Sequence, residues 1–308
     1  MDVDTIILNG VWPTMITPYT ADNKIDFDGL RSLIEWYLAN KVHGVFAVCQ
    51  SSEMQYLTLQ ERVELASFVV KEVNGRVPVA CSGHVSSQMK EQTDELKAMA
   101  DTGVDILVLV TNRLAGPDES DDVWKQNLEI ILDKISNISL GLYECPKPYN
   151  RLIEPETLQW CCKTNRFAFF KDTSCDLKAI QGKVNAVRGT SLKIFNANAA
   201  TLLPSLRMGV SGYCGVMANF HPSLYVWLVK NWAHEPKRAE GLQDFLGLAS
   251  VIEQQCYPIN AKYHCQLENL PISLNSRSRE LSEWKPSYKI EVEQLRALTQ
   301  SYLDKFKL

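Results

Sequence analysis

Along the chain, short runs of consecutive apolar residues alternate with longer segments whose apolar positions recur every three or four residues. GVWPTMIT precedes DFDGLRSLIEWYLAN, HGVFAVC precedes LTLQERVELASFVVKEV, VPVACSG precedes SSQMKEQTDELKAMA, and VDILVLV precedes DDVWKQNLEIILDKI. A short apolar run bounded by turn residues reads as a buried strand, and the longer spacing as a helix packed by one face. The alternation continues through ISLGLYECP and EPETLQWCCK, RFAFFKD and CDLKAIQGKVNAV, LKIFN and AATLLPSLRMG, SGYCGVM and HPSLYVWLVKNWA, about eight units in all. Eight such units close a parallel barrel.

Strands such as ILVLV are apolar on both faces, as required when helices cover one side and barrel side chains fill the other. The expected fold is therefore a (β/α)8 TIM barrel over residues 1–232. A doubly wound open sheet is the alternative, but neither G-x-G-x-x-G nor G-x-x-x-x-G-K-[ST] follows any strand, which removes its nucleotide-binding versions. From about Ala233 the alternation stops. EGLQDFLGLASVIEQQC and VEQLRALTQSYLDKF read as amphipathic helices, so 233–308 is expected to form a small C-terminal helical appendage.

Composition narrows the function. The 308 residues are 45% hydrophobic and 22% charged, a globular balance, and the net charge of -4 comes without a basic stripe, so nucleic acid is not an expected partner. The start MDVDTIILNG lacks a basic segment followed by a long apolar run, and no stretch reaches the roughly 18 apolar residues of a membrane span. The nine cysteines are odd in number and several sit in strand-like runs, which suits a reducing cytoplasm. Cys161-Cys162 has no C-x-x-C partner or histidine at ligand spacing, so no metal site is expected.

In a barrel of this kind chemistry sits where strands end. Those junctions carry Thr17, Gln50-Ser51-Ser52-Glu53, Thr111-Asn112-Arg113, Tyr143-Glu144, Lys171-Asp172 and Asn196. Lys171 closes the run Phe167-Ala168-Phe169-Phe170, which places its stem among apolar side chains at the barrel mouth. An amine so placed is a nucleophile toward a ketone, and the iminium it forms draws electrons from the neighbouring carbon. Taken alone, Lys171 fits more readily a lysine snorkelling outward and paired with Asp172 or Glu144. Tyr143 ends the preceding strand, within reach of Lys171. A phenol there can carry protons in carbinolamine breakdown, although by itself it reads more readily as a packed ring with its hydroxyl toward water.

Five ordered segments resemble the dihydrodipicolinate synthase and N-acetylneuraminate lyase superfamily of pyruvate-dependent aldolases over essentially the whole chain. GVWPTMITPYTADNKIDFDGL is similar to its opening, VCQSSEMQYLTLQER to its G-T-T-G-E loop, LYECP to L-Y-N-x-P, FKDTS to the lysine-bearing K-[DE]-x-[ST], and GVSGYCGVMANF to G-x-x-G-x-[IF]-S-x-x-x-N. The order and separations outweigh the single-residue alternatives. The resemblance implies Lys171 as the Schiff-base residue, Tyr143 as the phenolic acid/base, and Ser51 as the hydroxyl linking that phenol to solvent. It further implies a 2-oxo acid carboxylate held around Gln50, Ser51 and Ser52, contacts from Thr173 and the carbonyl of Cys214, and a homotetramer. Asn196 is a further candidate substrate contact, and no metal or organic cofactor is expected because the lysine itself supplies the electron sink.

The chain also departs from the family pattern. Both glycines of G-T-T-G-E are lost in Cys49-Gln50-Ser51-Ser52-Glu53, and a positive φ at Ser52 would be strained. Pro148 stands where synthases carry a carboxylate-binding arginine, with Arg151 nearby, and Leu114 or a neighbour where they carry a tyrosine shared between subunits. Ala199 and Ala200 replace the sugar-binding carboxylates of the lyases, while Glu144, Lys147, Asn196 and Asn198 offer other polar groups. The expected activity is thus an aldolase joining or releasing pyruvate and an unidentified aldehyde. Two alternatives stay open: a dehydratase of a 2-keto-3-deoxy sugar acid using the same lysine, and a barrel that binds a 2-oxo acid without turnover.

Overall fold

The computed structural model describes residues 9–135 and 138–308; most of the N-terminal stretch read above for a leader lies outside them. Eight strands alternate with helices. They are β1 (Gly10–Val11), β2 (Val45–Phe46), β3 (Val79–Cys81), β4 (Ile106–Val110), β5 (Ser139–Tyr143), β6 (Phe167–Asp172), β7 (Lys193–Asn196) and β8 (Gly212–Tyr213). The intervening helices are α1 (Phe27–Ala39), α2 (Leu59–Val73), α3 (Met89–Ala100), α4 (Asp121–Lys134), α5 (Pro155–Lys163), α6 (Leu177–Ala186) and α7 (Leu202–Met208), with α8 (Pro222–Asn231) following β8.

All neighbouring strands are parallel, in the order β1-β8-β7-β6-β5-β4-β3-β2. The remaining seam, between β1 and β2, is closed by a parallel bridge from Thr14 to Phe46. There Phe46 N donates to Pro13 O at 2.9 Å, and Met15 N donates to Phe46 O at 3.0 Å. The sheet is therefore a TIM barrel. At the β1–β8 pair two glycines face each other, and a Cβ on Gly212 would stand 1.8 Å from the Gly10 carbonyl oxygen. Only glycine allows this approach.

Strand alternation sorts side chains into two layers. On β6, Phe169 points into the barrel, where its ring meets Trp12 at 5.4 Å, Phe195 at 4.8 Å and Phe46 at 6.0 Å between centroids. A Cβ on Gly141 of β5 would crowd Phe169 at 3.1 Å, so the small residue makes room for this aromatic plug. Removing a ring from such a plug costs about 3–5 kcal/mol. Phe170 and Asp172 face outward, under α6. Lys171, two residues beyond Phe169, therefore returns to the interior, above the plug.

Helix starts follow the local chemistry. Thr58 and Glu61 cap α2 reciprocally, and Asp26 caps α1 by accepting from Gly29 N at 3.0 Å. Three further helices, α9 (Pro236–Ala249), α10 (Ile259–Leu267) and α11 (Pro286–Phe306), follow the barrel. Here the structure departs from the sequence expectation. The segment read as one helix to Cys256 ends at Ala249, and residues Ser250–Gln254 form a tight 3-10 turn. The chain then reverses at Cys256, which has φ 54°, and enters α10 at Pro258. Among the described residues no helix is long and apolar enough to cross a membrane.

Candidate active site

A cavity of about 810 Å³ opens at the carboxyl ends of the strands, lined on the barrel side by Gln50, Ser51, Tyr143, Lys171, Thr173, Asn198 and Gly215. Lys171 and Tyr143 are direct register partners on β6 and β5. Both are nearly buried, at 4% and 3% exposure. Lys171 Nζ lies 4.3 Å from the Tyr143 ring centroid and 5.7 Å from that of Phe46. Burial holds the Tyr143 phenol well above its ordinary pKa, with the thiols of Cys145 and Cys49 adding to the effect.

The snorkelling alternative fails on a residue that sequence reading did not single out. Lys183 of α6 reaches under the strand ends, and its Nζ sits 2.5 Å from Glu144 Oε1 and 2.6 Å from Asp172 Oδ2, all three side chains being at most 2% exposed. Glu144 also accepts from the backbone of Ile153 at 2.8 Å and of Thr173 at 3.0 Å, and Asp172 from Ser174 N at 3.0 Å. Both carboxylates expected to neutralise Lys171 are therefore occupied. The Lys171 side chain makes no hydrogen bond or ion pair among the described residues. Burial, with Asp172 beside it, raises Glu144 above the usual carboxylate range despite Lys183. Burial opposes the Lys183 ammonium, but the two carboxylates outweigh it and hold its pKa above the ordinary value.

The 49–53 loop is tied down by its own side chains. Ser51 Oγ donates to Thr14 Oγ1 at 3.0 Å, Gln50 Oε1 accepts from Cys145 Sγ at 3.2 Å, and Ser52 Oγ donates to Ala47 O at 2.6 Å. The left-handed residue is Glu53, with φ 62°, and not Ser52, so the feared strain moves one position along. Ser52 packs inward and does not line the cavity. Asn196 also turns away, donating to Thr201 Oγ1 and Ser205 Oγ at 3.0 Å each. Cys214 is buried beside Lys171, and the wall beyond it is formed by Gly215 and Val216. Thr173 lines the cavity, but its hydroxyl is spent on Glu144 O at 2.6 Å.

Of the departures noted above, Leu114 and Ala199 are buried in the core and Pro148 is at the cavity wall beside Lys147 and Asn198. Arg151 is engaged elsewhere, with Asp121 at 2.8 Å and Gly116 O at 2.7 Å. The other wall comes from the C-terminal segment: Glu253, Gln254, Tyr257, Pro258, Ser278 and Arg279 line the same cavity. None of these was singled out from sequence, where the segment read as packing helix. Burial pushes the Tyr257 phenol well up, with the Ser51 hydroxyl beside it acting in the opposite direction. Among the described residues no cluster of three or more histidine, cysteine or acidic side chains could hold a metal ion.

A closed parallel barrel with a buried, unpaired lysine and a phenol at its mouth has the build of a Schiff-base lyase. The Dihydrodipicolinate synthetase family model matches residues 7–294, and the chain belongs to that family of lyases. A 4-hydroxy-tetrahydrodipicolinate synthase of Methanococcus maripaludis is 30% identical over 223 residues, 72% of this chain and 74% of its own. One of Clostridium perfringens is 27% identical over 265 residues, 85% and 89% of the two chains. A dihydrodipicolinate synthase structure from Bacillus anthracis superposes with a TM-score of 0.86 at 19% identity, covering 95% of this chain and 98% of that one. YagE of Escherichia coli, a family member solved with pyruvate, gives 0.84 at 22% identity, with 96% and 98% covered. These two structural likenesses speak to the fold.

Proposed function

We propose that the protein is a class I aldolase in which Lys171 forms a Schiff base with pyruvate or a close 2-oxo acid, and which makes or breaks a carbon-carbon bond to an aldehyde. The observation that carries this reading is the state of Lys171: buried at the end of β6, on the face of Tyr143 at 4.3 Å, with Glu144 and Asp172 both claimed by Lys183. Lys171 attacks the carbonyl carbon, and Tyr143 delivers a proton to the carbinolamine oxygen so that it leaves as water. The iminium then accepts the electron pair released when the bond beyond carbon 3 breaks. Gln50 and Ser51 are the groups assigned to the 2-oxo acid carboxylate, since they line the cavity beside Tyr143. Ser52 and Asn196, whose side chains turn away from the cavity, are not retained as substrate contacts.

The aldehyde is expected to differ from that of the named synthases. Pro148 stands in the wall where the synthases carry a carboxylate-binding arginine, and the cations that the cavity offers besides Lys171, namely Arg113, Lys147 and Arg279, come from other positions. Incubation with a panel of 2-keto-3-deoxy acids, followed by product analysis, tests the reading. Release of pyruvate with an aldehyde supports the aldolase, and loss of water without pyruvate replaces it with a dehydratase. Neither product, with pyruvate still bound, leaves the barrel as a 2-oxo acid binder.

A further inference from the structure

Two carboxyl groups line the Lys171 cavity, Glu53 and Glu253, and they are in opposite states. Glu53 Oε1 accepts from Ser276 Oγ at 2.7 Å, Arg277 N at 2.8 Å, and Ser278 N and Oγ at 2.7 and 2.8 Å. Its Oε2 pairs with Lys262 at 3.3 Å. Glu53 is thus fully used in strapping residues 276–278 over the barrel mouth, with little acceptor capacity left for a ligand. Glu253 sits on the turn after α9, and its carboxyl makes no hydrogen bond or ion pair among the described residues. The titratable groups that sense it come from several elements: Lys171 of β6, Cys175 in the loop beyond, Tyr213 of β8, Tyr225 of α8 and Tyr257 before α10. Lys171 is the single cation of this set. A half-buried carboxyl left without a partner is costly unless something enters the cavity to use it.

We propose that Glu253 takes the proton from, and returns it to, carbon 3 of the iminium formed on Lys171; this rests on the Schiff-base reading above. In the forward step the C3–H bond breaks and a Glu253 O–H bond forms. The C–H electron pair becomes the C2=C3 bond of an enamine, and the C2=N pair returns to the Lys171 nitrogen, cancelling its charge. The reverse step restores the iminium. Burial pushes Glu253 up to about 7, with Lys171 acting against it. A base at that value moves protons efficiently near neutral pH, whereas the Tyr143 phenol, held far higher by burial, is suited to donate.

The test compares the full-length wild type with Glu253→Gln and Glu253→Asp, each incubated with pyruvate. Borohydride trapping at Lys171 reports the Schiff base, and proton NMR in D2O reports exchange of the pyruvate methyl protons. All three proteins are expected to be trapped. Exchange falls roughly 10²-fold or more in Glu253→Gln, as loss of a general base implies, and is partly kept in Glu253→Asp. Wild-type exchange rises with pH through about 7, and that rise is absent in Glu253→Gln. Trapping of Glu253→Gln with wild-type exchange and pH profile overturns the assignment of Glu253 alone. Failure to trap the wild type overturns the Schiff-base reading and this inference with it.

Discussion

Lys183→Met isolates the ion cluster beneath the candidate nucleophile. Methionine keeps an unbranched stem for packing on Phe170, over whose ring Lys183 Nζ now lies at 5.1 Å, but removes the cation that, among the described residues, alone pairs with Glu144 and Asp172. Stripping one partner from a buried ion pair costs about 3–5 kcal/mol, because the charge left behind is neither solvated nor paired. The hydrogen bonds from Ile153 N, Thr173 N and Ser174 N survive and keep the loss from exceeding that range. At about 2.1 cal/mol/K per residue, 308 residues give an unfolding entropy near 0.65 kcal/mol/K, so the melting temperature should fall by roughly 5–8 °C. The deficit depends on pH. Without Lys183 the Glu144 carboxyl is raised further, and a carboxyl with a raised folded pKa loses stability as pH climbs above its ordinary value near 4.5. Urea unfolding at pH 5 and pH 8 should therefore show a larger gap from wild type at pH 8. A loss below about 1 kcal/mol that is equal at both pH values would refute the claim that these three buried groups act as one charged unit.

Further outcomes are expected. Tyr143→Phe keeps the ring that faces Lys171 and removes the hydroxyl, so formation of the trapped pyruvate adduct should slow by about 10²-fold or more in a quenched time course; an unchanged rate would remove the phenol from proton transfer. Arg277 holds Glu61 down to about 2, so the stability this pair supplies is present above the ordinary carboxylate value and is lost as pH falls toward about 2. The melting difference between wild type and Arg277→Gln should shrink over that acid range, and a constant difference would contradict the assignment. The tetramer implied by the family resemblance predicts a light-scattering mass near four times 34.8 kDa; a single-chain mass would exclude it.

Much of the fold was legible because parallel strands buried on both faces leave unbroken apolar runs, and the helices between them leave a repeating stripe. Lys171 and Tyr143 could be placed at the cavity because each closes such a run. Neighbouring positions were harder, since side chains alternate: Ser51 faces the cavity while Ser52 packs inward, and a one-residue difference separates ligand contact from scaffold. The C-terminal wall was not legible. In EGLQDFLGLASVIEQQC the apolar spacing continues past Ala249, yet the helix ends there and the turn Ser250–Gln254 brings Glu253 to the wall of the Lys171 cavity. Lys183 was equally hidden, because a lysine on an amphipathic helix ordinarily faces water. Its burial goes with two carboxylates that lie far from it in sequence or on another element, Glu144 just past β5 and Asp172 at the end of β6.

The central claim is that Lys171 is the group that bonds covalently to the 2-oxo acid. Wild type and Lys171→Ala are incubated with pyruvate and sodium borohydride, digested, and mapped by mass spectrometry. The account predicts a reduced pyruvyl adduct on the peptide carrying Lys171 and none in Lys171→Ala. An unmodified Lys171, or an adduct of equal yield at another lysine such as Lys147 of the same cavity, would contradict it.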